Sequence, residues 1–261
     1  MLYKFYLMKN NICANCNNHF SGEFCNKCGQ KIPHKITMSH IGHELVHTFT
    51  HADKGFFYLL IQLFLKPGIV GREYILEGKR KKYFMPFQYI FIIGSIGTFV
   101  AVNSHFFSNT LSIIDKINGP TSSNQLKFIT NFGGLISKYY NLLILFQLPF
   151  FAYASYLLFR KYKLNYAEHL TFQTFISAQT TIISMVIMLM ILLLKQSSIF
   201  LVPLVSAISF SYQIYATKQF FKINNFTGSL RATAASILGA VFFMVVMLGV
   251  VFVYVKFIFV K

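Results

Sequence analysis

Five stretches of this chain carry no Asp, Glu, Lys or Arg over a length that reaches across a bilayer: Tyr83 to Ile114, Tyr139 to Phe159, His169 to Leu194, Gln196 to Thr217 and Ala232 to Val255. About 20 apolar residues in helical conformation cross the hydrocarbon core. Inside that core each peptide group has to find its hydrogen-bond partner within protein, so such stretches fold as helices. Composition points the same way, with 55% hydrophobic and only 12% charged residues, against roughly 25% charged in a soluble domain. The predicted fold class is therefore an all-α integral membrane protein. Its five transmembrane helices fall at about 86–107, 139–159, 169–194, 196–217 and 232–255, in a domain running over 83–261.

The basic residues set the orientation. Of 24 Lys and Arg, eighteen fall on the N-terminal side of this arrangement: twelve before residue 83, then Arg160, Lys161, Lys163, Lys218, Lys222 and Arg231. Six fall on the other side, including Lys116, Lys127, Lys138 and Lys195. An excess of Lys and Arg marks the cytoplasmic face, so the chain is expected in a cell inner membrane with its N-terminus cytosolic and its C-terminus outside. Residues 1–11 form a tail without the continuous apolar run of a secretory signal. Residues 108–138 read as one sizeable external loop. The formal net charge of +17 is accounted for by topology and by contact with anionic lipid, which disfavours a nucleic-acid partner.

The four cysteines of the chain lie together as Cys13-x2-Cys16-x8-Cys25-x2-Cys28. Two Cys-x2-Cys knuckles at this spacing can close four thiolates around one tetrahedral Zn²⁺ and leave no coordination position for substrate. A zinc ribbon over residues 12–32 is expected, with one structural Zn²⁺ and two short strands at most. A cytosolic position agrees, since thiols stay reduced there.

Residues 37–82 read as cytosolic amphipathic and interfacial helices. Thr37 or Ser39 is placed to cap a helix that carries His40, His43, His47 and His51 on one face, at spacings of three, four and four. His43-Glu44-x-x-His47 matches the His-Glu-x-x-His pattern, in which two histidines bind zinc and the glutamate activates water. Asp53, Glu73 and Glu77 are the possible third ligands. The stripe reads first as an interfacial or packing surface, and otherwise as a second metal site or a pH-sensing element. From Gly55 to Leu65 runs an apolar stretch too short to span, stopped by Lys66-Pro67-Gly68, with a second helix expected over Ile69 to Leu76. Lys79, Arg80, Lys81 and Lys82 follow directly before the first span, as a topology signal and a contact for anionic lipid headgroups.

Phe24-Cys25-Asn26-Lys27-Cys28-Gly29-Gln30, His47-x-Phe49-x2-His51-x-Asp53-Lys54-Gly55, Lys66-Pro67-Gly68, Arg72-Glu73-Tyr74-Ile75 and Gly78-Lys79-Arg80-Lys81-Lys82-Tyr83-x2-Pro86 together resemble an uncharacterised bacterial membrane-protein family, defined by a domain of unknown function. The resemblance covers residues 12 to about 90. It implies a cytosolic zinc ribbon, a Pro-Gly element at the membrane surface and roughly five spans, with no activity or substrate attached.

Three functions compete at this point. The leading one is a non-enzymatic platform, in which the ribbon and surface helices present a cytosolic protein partner with a rigid knuckle beside anionic lipid. The second is a membrane-associated zinc hydrolase built on His43, Glu44 and His47. The third is a small-solute transporter. No Asp, Glu, Lys or Arg near the middle of a span marks an ion or proton path, and the polar residues of the third and fourth spans (Gln173, Ser177, Gln179, Thr180 and Thr181; Ser206, Ser209, Ser211 and Gln213) read as links between helices.

Overall fold

The computed structural model describes residues 11–39, 41, 55–111, 123–194 and 201–259. The ribbon opens with two antiparallel strands, β1 (Asn11–Ile12) and β2 (His19–Phe20), in the register Asn11 opposite Phe20 and Ile12 opposite His19. One further bridge pairs Phe24 with Lys31. Residues 38, 39 and 41 are helical, and the Ile41 N–H donates to the Thr37 carbonyl, so Thr37 stands where the helix begins.

Helix α1 (Phe56–Leu65) and helix α2 (Pro67–Ile75) follow, broken apart at Lys66. Pro67 occupies the first position of α2, where its missing N–H has no partner to lose and its fixed φ suits the helix. The Pro-Gly pair therefore starts the second helix two residues earlier than the sequence suggests. A 3-10 turn, Arg80–Lys82, leads to α3 (Pro86–Ser104), again opened by proline and closed by His105 in the left-handed region at φ 49°.

Residues 106–111 are helical. Then come α4 (Ser123–Lys138), α5 (Tyr140–Leu158), a 3-10 turn Arg160–Tyr162, α6 (Tyr166–Leu194), α7 (Leu201–Phe220) and α8 (Phe226–Phe259). Helix α4 corrects the reading of 108–138 as a plain loop. Its apolar residues recur at Leu126, Ile129, Phe132 and Ile136, a helical spacing, and Gly133 lets it lie against the backbone of Ser108.

Helix α6 is the centre of the body, packed against α1, α2, α3, α5 and α7. Its first turns bury Phe172, Phe175, Ile176 and Ala178 among serines and threonines. Those hydroxyls can be buried because they bond back into the helix: Thr171 donates to the Ala167 carbonyl and Thr174 to that of Leu170, at 2.9 and 2.8 Å. Asn165 caps the helix reciprocally with Glu168; its Oδ1 accepts the Glu168 N–H while Glu168 Oε2 accepts the Asn165 N–H. Helix α8 packs on α5 and α7 and turns Val241, Val245, Leu248 and Phe252 outward. A continuous exposed apolar face of this kind marks a surface covered by another phase.

Among the described residues, four helical stretches are long and apolar enough to cross a membrane: Arg80–Ser104, Tyr140–Leu158, Tyr166–Met190 and Phe226–Val253. The fifth expected span, at 196–217, coincides with α7, whose 20 residues are sufficient in length. Ser206, Ser209, Ser211, Gln213 and Lys218 lower its hydropathy, and the apolar Ile199 and Phe200 before it lie outside the described residues.

The end of the body beside the ribbon is filled by aromatic rings. Phe159 stacks on Phe221 with centroids 4.2 Å apart, and Phe172 on Phe220 at 4.1 Å.

Candidate metal centre

Each cysteine knuckle is shaped by two backbone hydrogen bonds. In the first, the Cys13 N–H donates to the Asn18 carbonyl and the Asn17 N–H to that of Cys13, both at 2.9 Å. In the second, the Cys25 N–H donates to Gln30 and the Gly29 N–H to Cys25, at 2.9 and 2.8 Å. The residue after each second cysteine must be left-handed to close the turn: Asn17 has φ 58° and Gly29 φ 71°, and these are the two residue types that tolerate the region best.

The turns bring the thiols together crosswise. Cys13 Sγ lies 3.5 Å from Cys28 Sγ, and Cys16 Sγ 3.6 Å from Cys25 Sγ. All four sulfurs lie within 4.8 Å of one another, so they can hold a metal ion. None is in a disulfide.

The thiols differ in proton affinity. Burial raises that of Cys25, but the backbone N–H groups of Cys28 and Lys27 and the neighbouring thiols outweigh it and bring its pKa down to about 6. Cys28 is also lowered: burial opposes, while the Gln30 N–H and the Asn15 side chain favour its thiolate. Cys16 goes the other way. The Asn18 N–H favours its thiolate, yet burial and hydrogen bonds with Cys28, Cys13 and Cys25 push it up to about 12. Cys16 thus holds its proton far more tightly than Cys25, and a cation bound by the four sulfurs would have to displace it.

The ribbon is fastened to the helical body along its exit. Gln30 Oε1 accepts the Lys81 N–H at 2.7 Å, the Arg80 guanidinium donates to the His34 carbonyl, and Pro33 packs on Gly78. Farther on, Asn165 Nδ2 donates to the Ile36 carbonyl at 2.8 Å, so the cap of α6 also holds the linker. Ile36 and Ile41 are buried in the same core as α1, α3 and α6.

The basic run is built into this junction. Lys82 Nζ pairs with Glu73 at 2.6 Å, and Lys79 Nζ with Glu73 and Glu77 at 3.3 and 2.8 Å. Tyr83 donates its hydroxyl to Glu73. Arg80 stacks over Tyr74, 5.9 Å from its centroid. Burial alone would raise the Glu73 carboxyl, but the hydrogen bonds from Lys82 and Tyr83 and the charges of Lys82 and Lys79 hold it below its ordinary value. Lys79 is raised, chiefly by its hydrogen bond to Glu77 against some burial. Lys81 has an exposed side chain and makes no ion pair among the described residues.

One arrangement was not legible in the sequence. The break between α1 and α2 strands carbonyls at one helix end and N–H groups at the next, and side chains of α7 satisfy both. Tyr212 donates to the Leu63 carbonyl at 2.9 Å, and Gln219 Oε1 accepts the N–H groups of Gly68 and Ile69 at 2.8 and 3.3 Å. Arg72 returns the favour, donating to the Phe220 carbonyl at the end of α7 at 3.0 Å. Gly68 makes the contact possible: a Cβ there would stand 2.6 Å from the Ala216 carbonyl oxygen and nearer still to Phe220 N. The exposed face of α1, with Phe57, Ile61, Phe64 and Leu65, is apolar.

His40, His43, Glu44, His47, His51 and Asp53 lie outside the described residues.

Residues 53–97 match the model of a family described as "Protein of unknown function (DUF3667)". That segment holds the α1–α2 break, the Glu73 junction and most of α3, which supports a family defined by a domain of unknown function. No curated protein matches the chain, and no solved structure does.

Proposed function

We propose that the chain is a non-enzymatic bacterial inner-membrane protein whose ribbon, held by one structural Zn²⁺, forms a cytosolic interaction platform. The observation that carries this reading is the thiol geometry. A tetrahedron with Zn–S bonds of ~2.3 Å has edges of about 3.8 Å, and the separations of 3.5 and 3.6 Å, with none above 4.8 Å, fit it. With four thiolates bound the ion has no open position for a substrate, which is the pattern of a structural site. Two anions in excess of the metal charge are balanced locally by Lys27 and Lys31.

A platform has to be stiff and accessible. The ties from Gln30, His34 and Ile36 to the body supply stiffness. Ile12 and Phe24, 65% and 56% exposed, supply apolar contact area for a protein partner. In this reading α7 is the fifth span. It runs alternately with its neighbours, its Phe220 end meeting Arg72 near the ribbon. The basic turns Arg160–Tyr162 and Phe221–Lys222 then share the cytosolic side, as N-in, C-out topology requires. Lys81, with Lys79 and Lys82 paired to glutamates and Arg80 bonded to the His34 carbonyl, is the member of the basic run free to meet anionic lipid.

The test is a metal count on purified full-length protein, combined with affinity co-purification of wild type and an Ile12→Ser, Phe24→Ser variant. One zinc per chain in both, with a partner lost only from the variant, is the expected result. Two zincs per chain would contradict it and move the assignment to the hydrolase built on His43, Glu44 and His47.

A further inference from the structure

Away from the ribbon the body is not filled. A cavity of about 560 Å³ lies between α5, α6, α7 and α8, within the range of about 300–1,000 Å³ typical of ligand pockets. Two polar stripes face each other across it. On α6 the stripe is Ser177, Thr180, Thr181 and Ser184; on α7 it is Ser206, Ser209 and Gln213. Gln147 joins them from α5. Among the described lining residues none is charged, and the rest of the wall is aromatic or aliphatic, with Phe151, Phe243 and Met247 on the side of α5 and α8.

The hydrogen bonds of the stripes say what they can accept. Thr180 and Thr181 donate to the Ser177 carbonyl at 3.0 and 2.8 Å, and Ser184 donates to that of Thr180 at 2.9 Å. Each hydroxyl proton is spent within the helix, so what these groups offer outward is lone pairs, which call for a donor. Across the cavity the side chains of Gln147, Ser209 and Gln213 make no hydrogen bond to another described residue, although each amide both donates and accepts. One turn deeper on the α6 face, the buried Gln173 leaves Oε1 without a partner among the described residues. Polar groups in a bilayer-embedded body cost free energy unless something satisfies them.

The wall at α8 indicates where an apolar tail would go. Met244 lines the cavity and is also 60% exposed, beside Val245 and Leu248 on the outward apolar face. The cavity therefore meets the surface that faces acyl chains.

We propose that this cavity binds a neutral, hydroxyl-bearing lipid of the mono- or diacylglycerol type, its head between the stripes of α6 and α7 and its chain leaving past Met244. The absence of a cation in the wall selects against phosphate headgroups and fatty-acid carboxylates. The hydroxylated head supplies the donors that the α6 stripe lacks. This site does not depend on the metal reading of the ribbon.

Full-length protein in phosphatidylethanolamine–phosphatidylglycerol vesicles, with a trace of diazirine-bearing monoacylglycerol, is photolysed and the labelled peptides are mapped. The expected labels fall in 177–184 and 206–213, are competed by unlabelled monoacylglycerol, and are absent with a diazirine phosphatidylglycerol. Gln213→Leu should reduce them about fivefold, the equivalent of one hydrogen bond, and Ser209→Phe, which fills the space, should abolish them. If Ser209→Phe fails to fold, Gln213→Leu decides alone. Labels confined to the outer face of α8, equal labelling by the phosphatidylglycerol probe, or no label at all would each overturn the proposal.

Discussion

In the ribbon the buried side chains form a cluster of Cys13, Phe20 and Cys25, with Cys16, Cys28 and Ile32 around it. In the helical body one core runs from Ile36 and Leu59 through Tyr89, Phe172 and Phe220 to Ala232 and Ala235. A cluster as small as the first cannot offset the conformational entropy of some twenty residues, so in the proposed reading its order comes from the four cysteines and the ion they would hold. The second is held by packing, and even its break between α1 and α2 is stabilised by neighbours rather than by a cofactor. Metal loss should therefore disorder the ribbon and leave the body standing, while errors in packing should do the reverse.

The largest effect should separate the two regions outright. Cys25→Ser removes one of four ligands from a site whose binding free energy is of the order of 10 kcal/mol. The expected outcome is loss of the metal and of amide protection over residues 11–32, with the helical content of the body unchanged by circular dichroism. Gly68→Val should act in the opposite region. Its side chain would meet the backbone of α7 at Ala216 and Phe220, a collision that neither helix can relieve by a rotamer change, and the melting transition of the body should fall by the equivalent of about 3 kcal/mol with zinc retained. Gln219→Leu leaves the Gly68 and Ile69 N–H groups without an acceptor and should cost about 1–3 kcal/mol in the same assay.

The smallest effect is a pH dependence at the junction. Because Glu73 is held below its ordinary pKa in the folded protein, it binds fewer protons folded than unfolded. Its contribution is present above the unfolded value near 4.3 and is lost as pH falls through the folded one. The stability difference between wild type and Glu73→Gln should thus be constant from pH 7 to about 5 and shrink below that. A difference that grows on acidification would mean that the pairing with Lys79 and Lys82 is absent.

How much of this could be read from sequence follows from how local each feature is. The four cysteines that could hold a metal ion lie within sixteen residues, and the turn that closes each knuckle is marked by Asn17 or Gly29. The four described helices long and apolar enough to cross a membrane are visible largely as windows without charge. The start of α6 is missed by three residues, because the charge-free window opens only at His169, after the Glu168 of the Asn165-x-x-Glu168 cap.

By contrast, Tyr212, Gln219 and Arg72 act across separations of about 150 residues, and no local pattern distinguishes these side chains from any others near a helix end. The basic run reads in sequence as a topology signal and a lipid contact, which leaves its partners within the protein unread. Lys79 and Lys82 are spoken for by Glu73 and Glu77, a pairing that depends on α2 folding back beside the 3-10 turn. The polar residues of α6 and α7 were expected to join helices. Gln179 does so, accepting the Tyr89 hydroxyl at 3.0 Å, whereas Ser177, Thr180, Ser209 and Gln213 face a cavity instead.

The central claim is that four thiolates from the ribbon hold one zinc and close its coordination sphere. Zinc K-edge X-ray absorption on the full-length protein tests it most directly. A single shell of four sulfurs at about 2.3 Å, with zinc at one per chain, is the predicted spectrum. A shell containing imidazole nitrogen or oxygen near 2.0–2.1 Å, or a protein that purifies without zinc, would contradict it.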